Sequence, residues 1–409
     1  MTLLSDGLHT EIYFVVGIRS NFRDLLPNAF GSAVKWGFTP RILDVGAMID
    51  GWRSYLNDWR EQGLHDSVTY IRNRSEFSKF SKGIVARRTV FLFLYLPDKN
   101  LRPLWRKLQG TGARVGAIVA GPVPSYTSDS ERLAGQLKFG KWWLAAKRQL
   151  KPRPDFWITA GSACNDMYRS YFRTLKHVPE IPAHSIDYER SLFAAVDENH
   201  QTQQCEKIVM LDQGWFSKPR PDFLDSSNYP PTTETDYSRD ICHYLSYAGQ
   251  RMNCEVVVAC HPKADLTATR DTYPGFRVEQ GNSQCFVNEA NLVVANSTTA
   301  IQYAVLQNIP VVLFSSEQLQ HSIVNPLFEG YRREINPSVV FIDDEESYGK
   351  SIDNLQVDSL AYEQFVMRYV KHPESADESL WEIVFKGIVQ IGTSPNLSNS
   401  DLKKVSENV

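Results

Sequence analysis

Glu255-Val-Val-Val-Ala-Cys-His-Pro-Lys263, Ala290-Asn-Leu-Val-Val-Ala-Asn-Ser-Thr-Thr-Ala300 and Ile309-Pro-Val-Val-Leu-Phe314 together decide the fold. The first is a β-branched run, Glu255 to Cys260, that halts at His261-Pro262 because proline cannot continue a central strand. The second run, Ala290 to Asn296, opens into Ser297-Thr298-Thr299-Ala300, and a helical stretch from Ile301 to Asn308 follows. A third strand then begins at Ile309. Strand, turn, helix and strand in this succession predict parallel βαβ units. Ligands of open parallel sheets bind at the carboxyl ends of strands, and helix starts offer free N–H groups to anions. His261 and the Ser297 turn both fall at such ends.

The same alternation runs outward in both directions. Toward the amino terminus the strands are Glu11–Gly17, Arg41–Val45, Thr89–Leu96, Ala113–Ala120 and Asp155–Thr159, with a helix over Phe22–Trp36. A polar stretch from Glu198 to Lys207 interrupts the pattern and predicts a hinge. Beyond it the pattern restarts with the strand Lys207–Leu211 and a helix over Asp240–Asn253. The expected architecture is α/β, with two Rossmann-like domains facing a cleft. Residues 1–198 would form an amino-terminal domain and residues 207–375 a carboxy-terminal one. A final helix would span 376–392, and the aperiodic, polar 393–409 would be a disordered tail.

A chain of 409 residues has room for two such domains of about 150–200 residues each. A net charge of −3 gives no global attraction for nucleic acid, so none is expected as a partner. Met1-Thr-Leu-Leu-Ser-Asp6 has no basic region followed by an apolar stretch, and no apolar run reaches membrane-spanning length; a cytoplasmic chain is expected. Cys164, Cys205, Cys242, Cys254, Cys260 and Cys285 form no Cys-x-x-Cys pair, which fits buried, reduced thiols. Arg132 to Arg153 interleaves seven cations with Trp142, Trp143 and Leu144. Such a stretch suits peripheral contact with the inner face of a membrane, or a solvated helix whose tryptophans pack inward.

Several residues could carry chemistry. His261 would donate to a phosphate, with Pro262 fixing its direction and Lys263 adding a point charge. One hydroxyl of Ser297, Thr298 and Thr299 would cap the following helix, and the others would hold phosphate oxygens. Asp212, in Asp212-Gln213-Gly214 at a strand end, is a candidate general base or acceptor for a sugar hydroxyl, and equally a turn-forming Asp before Gly. Glu317 stands where a carboxylate would hold a ribose diol, with Glu329 as its competitor. Ala183-His184-Ser-Ile-Asp187-Tyr188-Glu189 offers a second acid/base candidate in Asp187, or a polar crossing between domains. Gly17, Arg19, Ser20 and Asn21 are placed to meet an acceptor. Gly-x-x-x-x-Gly-Lys-Ser/Thr, a Gly-x-Gly-x-x-Gly after the first strand, His-Glu-x-x-His and Gly-x-Ser-x-Gly are all absent. This argues against a P-loop kinase, a nicotinamide dehydrogenase, a zinc peptidase and an α/β-hydrolase.

His261-Pro262, Ser297-Thr298, Ile208-Val-Met-Leu-Asp212-Gln213 and Ala183-His-Ser-Ile-Asp187-Tyr188 together resemble bacterial GT-B glycosyltransferases of capsule and lipopolysaccharide synthesis, particularly the sialyltransferase, polysialyltransferase and Kdo-transferase group. The resemblance covers roughly Ala183 to Phe314. It implies an inverting, metal-independent transfer of a sugar, from a CMP-sugar first of all, to a glycan or glycolipid acceptor. His261, Pro262, Lys263, Ser297, Thr298, Thr299 and Glu317 would hold the nucleotide-sugar, Asp212 or Asp187 would act as base, and no cofactor or metal is implied. The acidic-acidic-Gly motif that supplies the base in sialyltransferases is missing from the first half. A UDP-sugar donor, a polyol-phosphate transferase, a UDP-sugar 2-epimerase of the same two-domain shape and a non-catalytic assembly partner remain as alternatives.

Overall fold

The computed structural model describes residues 10–16, 26–50, 63–94, 101–119, 123–124, 153–164, 178–194, 206–216, 233–261, 264–281, 283–322 and 324–393. They divide into two compact units. The first takes in the described residues of Met1–Ala120, Lys141–His184 and His372–Val409, the second those of Gly121–Gly140 and Ser185–Lys371.

The first unit holds a seven-stranded sheet in the order β3-β2-β1-β4-β5-β6-β7. Its strands are β1 (Thr10–Val16), β2 (Phe38–Asp44), β3 (Val68–Tyr70), β4 (Thr89–Phe93), β5 (Arg114–Val119), β6 (Phe156–Thr159) and β7 (Glu180–Pro182), and every pairing is parallel. β4 and β6 are buried along their whole length, as strands covered on both faces must be. Tyr13, Phe91, Phe93 and Trp105 pack in one interior cluster. The helix Leu380–Thr393 returns to this unit. Glu382 accepts from Trp36 Nε1 at 2.9 Å and from Ser32 Oγ at 3.2 Å, and Trp381 meets Phe14 edge-on. Gly387 makes that approach possible, since a Cβ there would lie 2.7 Å from Ile181.

The second unit holds a six-stranded parallel sheet in the order β10-β9-β8-β11-β12-β13. Its strands are β8 (Lys207–Leu211), β9 (Glu255–Cys260), β10 (Arg277–Gln280), β11 (Leu292–Ala295), β12 (Val311–Ser315) and β13 (Ser338–Phe341). Its core is formed by Ile208, Met210, Val258, Val294, Val312 and Phe314 with Tyr237, Ile241 and Tyr244 of the helix Glu234–Met252. The order of strands reverses between β8 and β11. Two parallel-sheet α/β domains, as expected, therefore make up the chain. The sequence reading lacked β3, β7, β10 and β13, which are short.

The proposed tail beyond Thr393, the Gly17–Asn21 loop, Pro262, Lys263, Cys205 and the Trp142-Trp143 stretch lie outside the described residues. The other five cysteines are free thiols. No described helix is long and apolar enough to cross a membrane.

Candidate functional site

The point where strand order reverses in the second sheet is flanked by the ends of β8 and β11. Asp212 follows β8 and continues its ladder, its N–H donating to Ala259 O at 3.1 Å. The chain then turns through Gly214, whose φ of +66° is in the left-handed region that glycine adopts without strain. Gly214 N–H donates to Asp212 Oδ2 at 2.9 Å, so the turn reading of Asp212 holds. The other carboxylate oxygen, Oδ1, accepts from the Tyr273 hydroxyl at 2.9 Å. Tyr273 and Tyr237 hydroxyls are 2.9 Å apart. With the Tyr273 proton committed to a carboxylate, Tyr237 must be the donor of that second bond. A buried relay thus runs Tyr237 to Tyr273 to Asp212.

Burial drives the Asp212 carboxyl up to about 6, while the Tyr273 hydroxyl and the N–H groups of Gly214, Gln213 and His261 pull it back down. At neutral pH it is mostly ionised and ready to accept a proton. Burial also raises the Tyr273 hydroxyl, reinforced by the Asp212 charge, which keeps it a donor.

Gln213 Nε2 donates to Ser297 Oγ at 3.0 Å and so ties the end of β8 to the turn after β11 across the reversal point. Asn296, fully buried, donates from Nδ2 to Phe314 O at 2.7 Å and pins β11 to β12. Gln213 Oε1 and Asn296 Oδ1 are buried acceptors without a partner among the described residues. Ser297 is buried, Thr298 half-buried and Thr299 exposed. None of the three caps the next helix, contrary to expectation. That helix, Ile301–Leu306, has Ala300 at its cap position and no side-chain cap bond. Thr298 Oγ1 instead accepts from Ala300 N–H at 3.3 Å, and the N–H groups of Ile301 and Gln302 turn back to the carbonyls of Thr298 and Thr299. Two tight turns precede the helix and use up the hydroxyl that would have capped it.

His261 ends β9, beside β8. Ala264 N–H donates to its carbonyl at 2.8 Å, and Gln280 Nε2, from the end of β10, reaches Ala264 O at 2.7 Å. These two bonds fix the backbone at His261 and Ala264.

Glu317 is exposed at the start of a short helix, Glu317–Gln320, capped by Ser316 Oγ. It lines a pocket of about 250 Å³ with Asp236, Tyr237, Ser316 and Asp343. Because Tyr237 also ends the relay, this pocket and Asp212 are joined by two side chains. Glu329 is held by Arg332 at 2.8 Å. Asp187 lies in the helix Ile186–Ala194, where its Oδ1 accepts from Tyr303 at 2.7 Å and faces Arg190 at 3.4 Å. His184 turns elsewhere, its Nε2 lying 3.1 Å from Glu378 O. Within the second unit, Asp212, Ser297 and the His261 turn therefore come together, and Asp187 is bound into a separate pairing.

Tyr273, Gln280, Asn296 and the side chain of Gln213 were not foreseen as site residues. Gln213 carried one signal, as neighbour to the strand-end Asp212. Tyr273 sits in an aperiodic Thr-Tyr-Pro-Gly turn and carried none.

No protein-family model matches the sequence, and no curated protein matches it. Similar folds are found among solved structures. A UDP-GlcNAc 2-epimerase from Methanocaldococcus jannaschii superposes with a TM-score of 0.54 at 10% identity, over 93% of this chain and 99% of that one. UDP-GlcNAc 2-epimerase from Neisseria meningitidis, bound to UDP-GlcNAc, gives 0.53 at 13% identity, over 93% and 98%. The wall teichoic acid polymerase TagF gives 0.52 at 10% identity, over 95% and 90%. At such identities the likeness is one of fold, and it agrees with the GT-B type expected from the sequence.

Proposed function

We propose that this chain is an inverting, metal-independent glycosyltransferase that moves a sugar from a nucleotide-sugar, a CMP-sugar first of all, to a hydroxyl of a surface polysaccharide or lipopolysaccharide. One observation carries the reading: Asp212, the Gln213–Ser297 bridge and the end of β9 at His261 converge where the strand order of the second sheet reverses. His261, Lys263 and Ser297 would hold the donor phosphate and offset charge on it as the bond to the anomeric carbon breaks. Thr298 and Thr299 would add hydroxyl contacts, Pro262 would set the direction of His261, and Glu317 would hold the ribose. Asp212, ionised above about pH 6, would take the proton from the acceptor hydroxyl as its oxygen attacks the anomeric carbon from the face opposite the leaving phosphate. Asp187 is the lesser candidate for that base, because Tyr303 and Arg190 already engage it.

A second reading, a UDP-sugar 2-epimerase, is favoured by the two epimerases of similar fold that match over nearly their full length. Proton NMR of the protein with CMP- and UDP-sugars, with and without a polysaccharide acceptor and with EDTA, separates the two. Acceptor-dependent release of nucleotide with an inverted anomeric signal, unaffected by EDTA, is expected. A 2-epimer formed without acceptor would replace transfer by epimerisation, and EDTA-sensitive transfer would contradict the metal-independent step.

A further inference from the structure

The strands of the first unit all run one way, so their amino ends share one edge, opposite the carboxyl ends where a parallel sheet takes its ligands. Cations collect at that edge. Lys79 and Lys82 lie in the last turn of the helix Arg74–Lys82, and Arg106 and Lys107 in the last turn of the helix Arg102–Gln109. Arg88 immediately precedes β4, and Arg153 shortly precedes β6. All six are exposed, and none forms a salt bridge among the described residues, although the Arg153 charge acts on the nearby Asp155 carboxyl.

Three contacts show that the pieces are contiguous. Lys107 Nζ lies 5.4 Å from the centre of the Phe77 ring, joining the two helices. A Cβ on Gly112 would come within 3.2 Å of Ala86 Cβ, which brings the 83–88 loop against the end of the second helix. Gln109 Nε2 donates to the Arg153 carbonyl. Two carboxylates at the same edge are engaged, Asp155 accepting from Val115 N–H at 2.7 Å beside Arg114 and Glu11 facing Arg41 at 3.7 Å, while Asp66 is 90% exposed with the His65 ring beside it at 3.0 Å.

Among these cations, Val85 keeps 58% of its surface exposed, and Phe80 and Ile84 are only half-buried. An apolar tip in a ring of exposed cations is the combination that inserts into a lipid interface while the cations meet anionic headgroups. A soluble polyanion would use the cations and gain nothing from the valine. We infer that the amino edge of the first sheet, centred on Val85, docks this protein on an anionic phospholipid surface. The inference is independent of the donor site, since it uses residues of the other unit alone.

The test is co-sedimentation of the full chain with phosphatidylcholine vesicles, and with vesicles in which about a third of the lipid is phosphatidylglycerol, at low salt and at about 1 M salt. Binding is expected to the anionic vesicles alone and to be released by salt. The quadruple variant Lys82→Gln, Arg88→Gln, Arg106→Gln, Lys107→Gln should lose about fivefold in partition per charge removed, roughly three orders of magnitude in all. Val85→Ser should weaken vesicle binding while leaving retention on heparin unchanged. These side chains are exposed, so thermal midpoints of the variants should match the parent and confirm folding. The inference is overturned if the parent ignores anionic vesicles or if the quadruple variant binds them as well as the parent. Equal vesicle binding by Val85→Ser, with strong heparin retention, would overturn it in favour of a soluble polyanion.

Discussion

The two sheets share the winding 3-2-1-4-5-6, with one strand added in the first, yet their polar edges are built on different principles. At the carboxyl edge of the second sheet the polar groups are few, largely buried and bonded to one another, as Tyr237, Tyr273 and Asp212 are, and Gln213 with Ser297. At the amino edge of the first the polar groups are mostly exposed cations, and the six named above form no salt bridge among the described residues. Buried polar groups must be matched atom by atom, because an unpaired one costs about 1–3 kcal/mol, whereas exposed cations act through their sum. On the two proposals made above, the same winding would serve a small ligand at one edge and an extended surface at the other. Single-atom changes should matter in the first case and charge counts in the second.

The largest expected effect belongs to Asp212. Asp212→Asn should lower kcat/KM for nucleotide release by about a hundredfold to ten-thousandfold, and the parent profile should show an acid limb near pH 6. Stability should move the other way. Ionising a carboxyl raised from 3.8 to about 6 costs more in the folded chain than in the unfolded one. Its contribution is thus fully present below pH 3.8 and lost as pH rises through about 6. Above that pH the Asn variant should be the more stable by about 3 kcal/mol at most, a gap that urea unfolding should see close toward pH 4. Equal activity in the two proteins would remove Asp212 from the chemistry.

Trp105→Ala asks whether the two units carry separate tasks. Trp105 is 1% exposed and packs 4.4 Å from Phe93, centre to centre, so its loss should cost about 3–5 kcal/mol by urea unfolding. Nucleotide affinity, measured calorimetrically below the unfolding transition, should be unchanged. A matching loss of affinity would break the division of labour.

Tyr273→Phe should cost about 1–3 kcal/mol, because the buried Tyr237 hydroxyl loses this acceptor and Asp212 loses a donor. That donor lowers the Asp212 pKa, so the acid limb should move above pH 6. An unmoved limb would separate the relay from the titrating group. The smallest effect is expected for Gln213→Ala, which unties β8 from the Ser297 turn. One neutral hydrogen bond is worth about 1 kcal/mol, so the dissociation constant for nucleotide should rise by tenfold or less in a calorimetric titration.

How much of this was legible depended on periodicity and position. β8 and β9 coincide with the runs Lys207–Leu211 and Glu255–Cys260, because central parallel strands are continuous and apolar. The strands absent from the sequence reading pack at the margins. β3 is half-exposed throughout, β7 carries Glu180 and Pro182, β10 carries two exposed polar residues in four, and β13 has one fully buried residue. In the site, Asp212, His261 and Ser297 could be read because each follows a clear strand. Tyr273 and Gln280 could not, since long-range packing brings them there from a turn and a strand edge. The cap expected from the Ser-Thr-Thr run failed because hydroxyls serve tight turns as readily as helix starts. The cations of the amino edge are scattered over two helices, a loop and a pre-strand residue, so only the winding of the chain reveals them as one surface.

The central claim is that a nucleotide binds at the reversal point of the second sheet. It is tested most directly by the thermal midpoint of the parent, His261→Ala and Ser297→Ala against CMP, CDP, UMP, UDP and GDP. A nucleotide at about 100 times its dissociation constant should raise the parent midpoint by a few degrees. That rise is predicted for CMP first, or for UDP if the donor carries an ordinary hexose, and it should vanish in both variants. A folded parent that no nucleotide shifts, or a shift that survives in both variants, would contradict the claim.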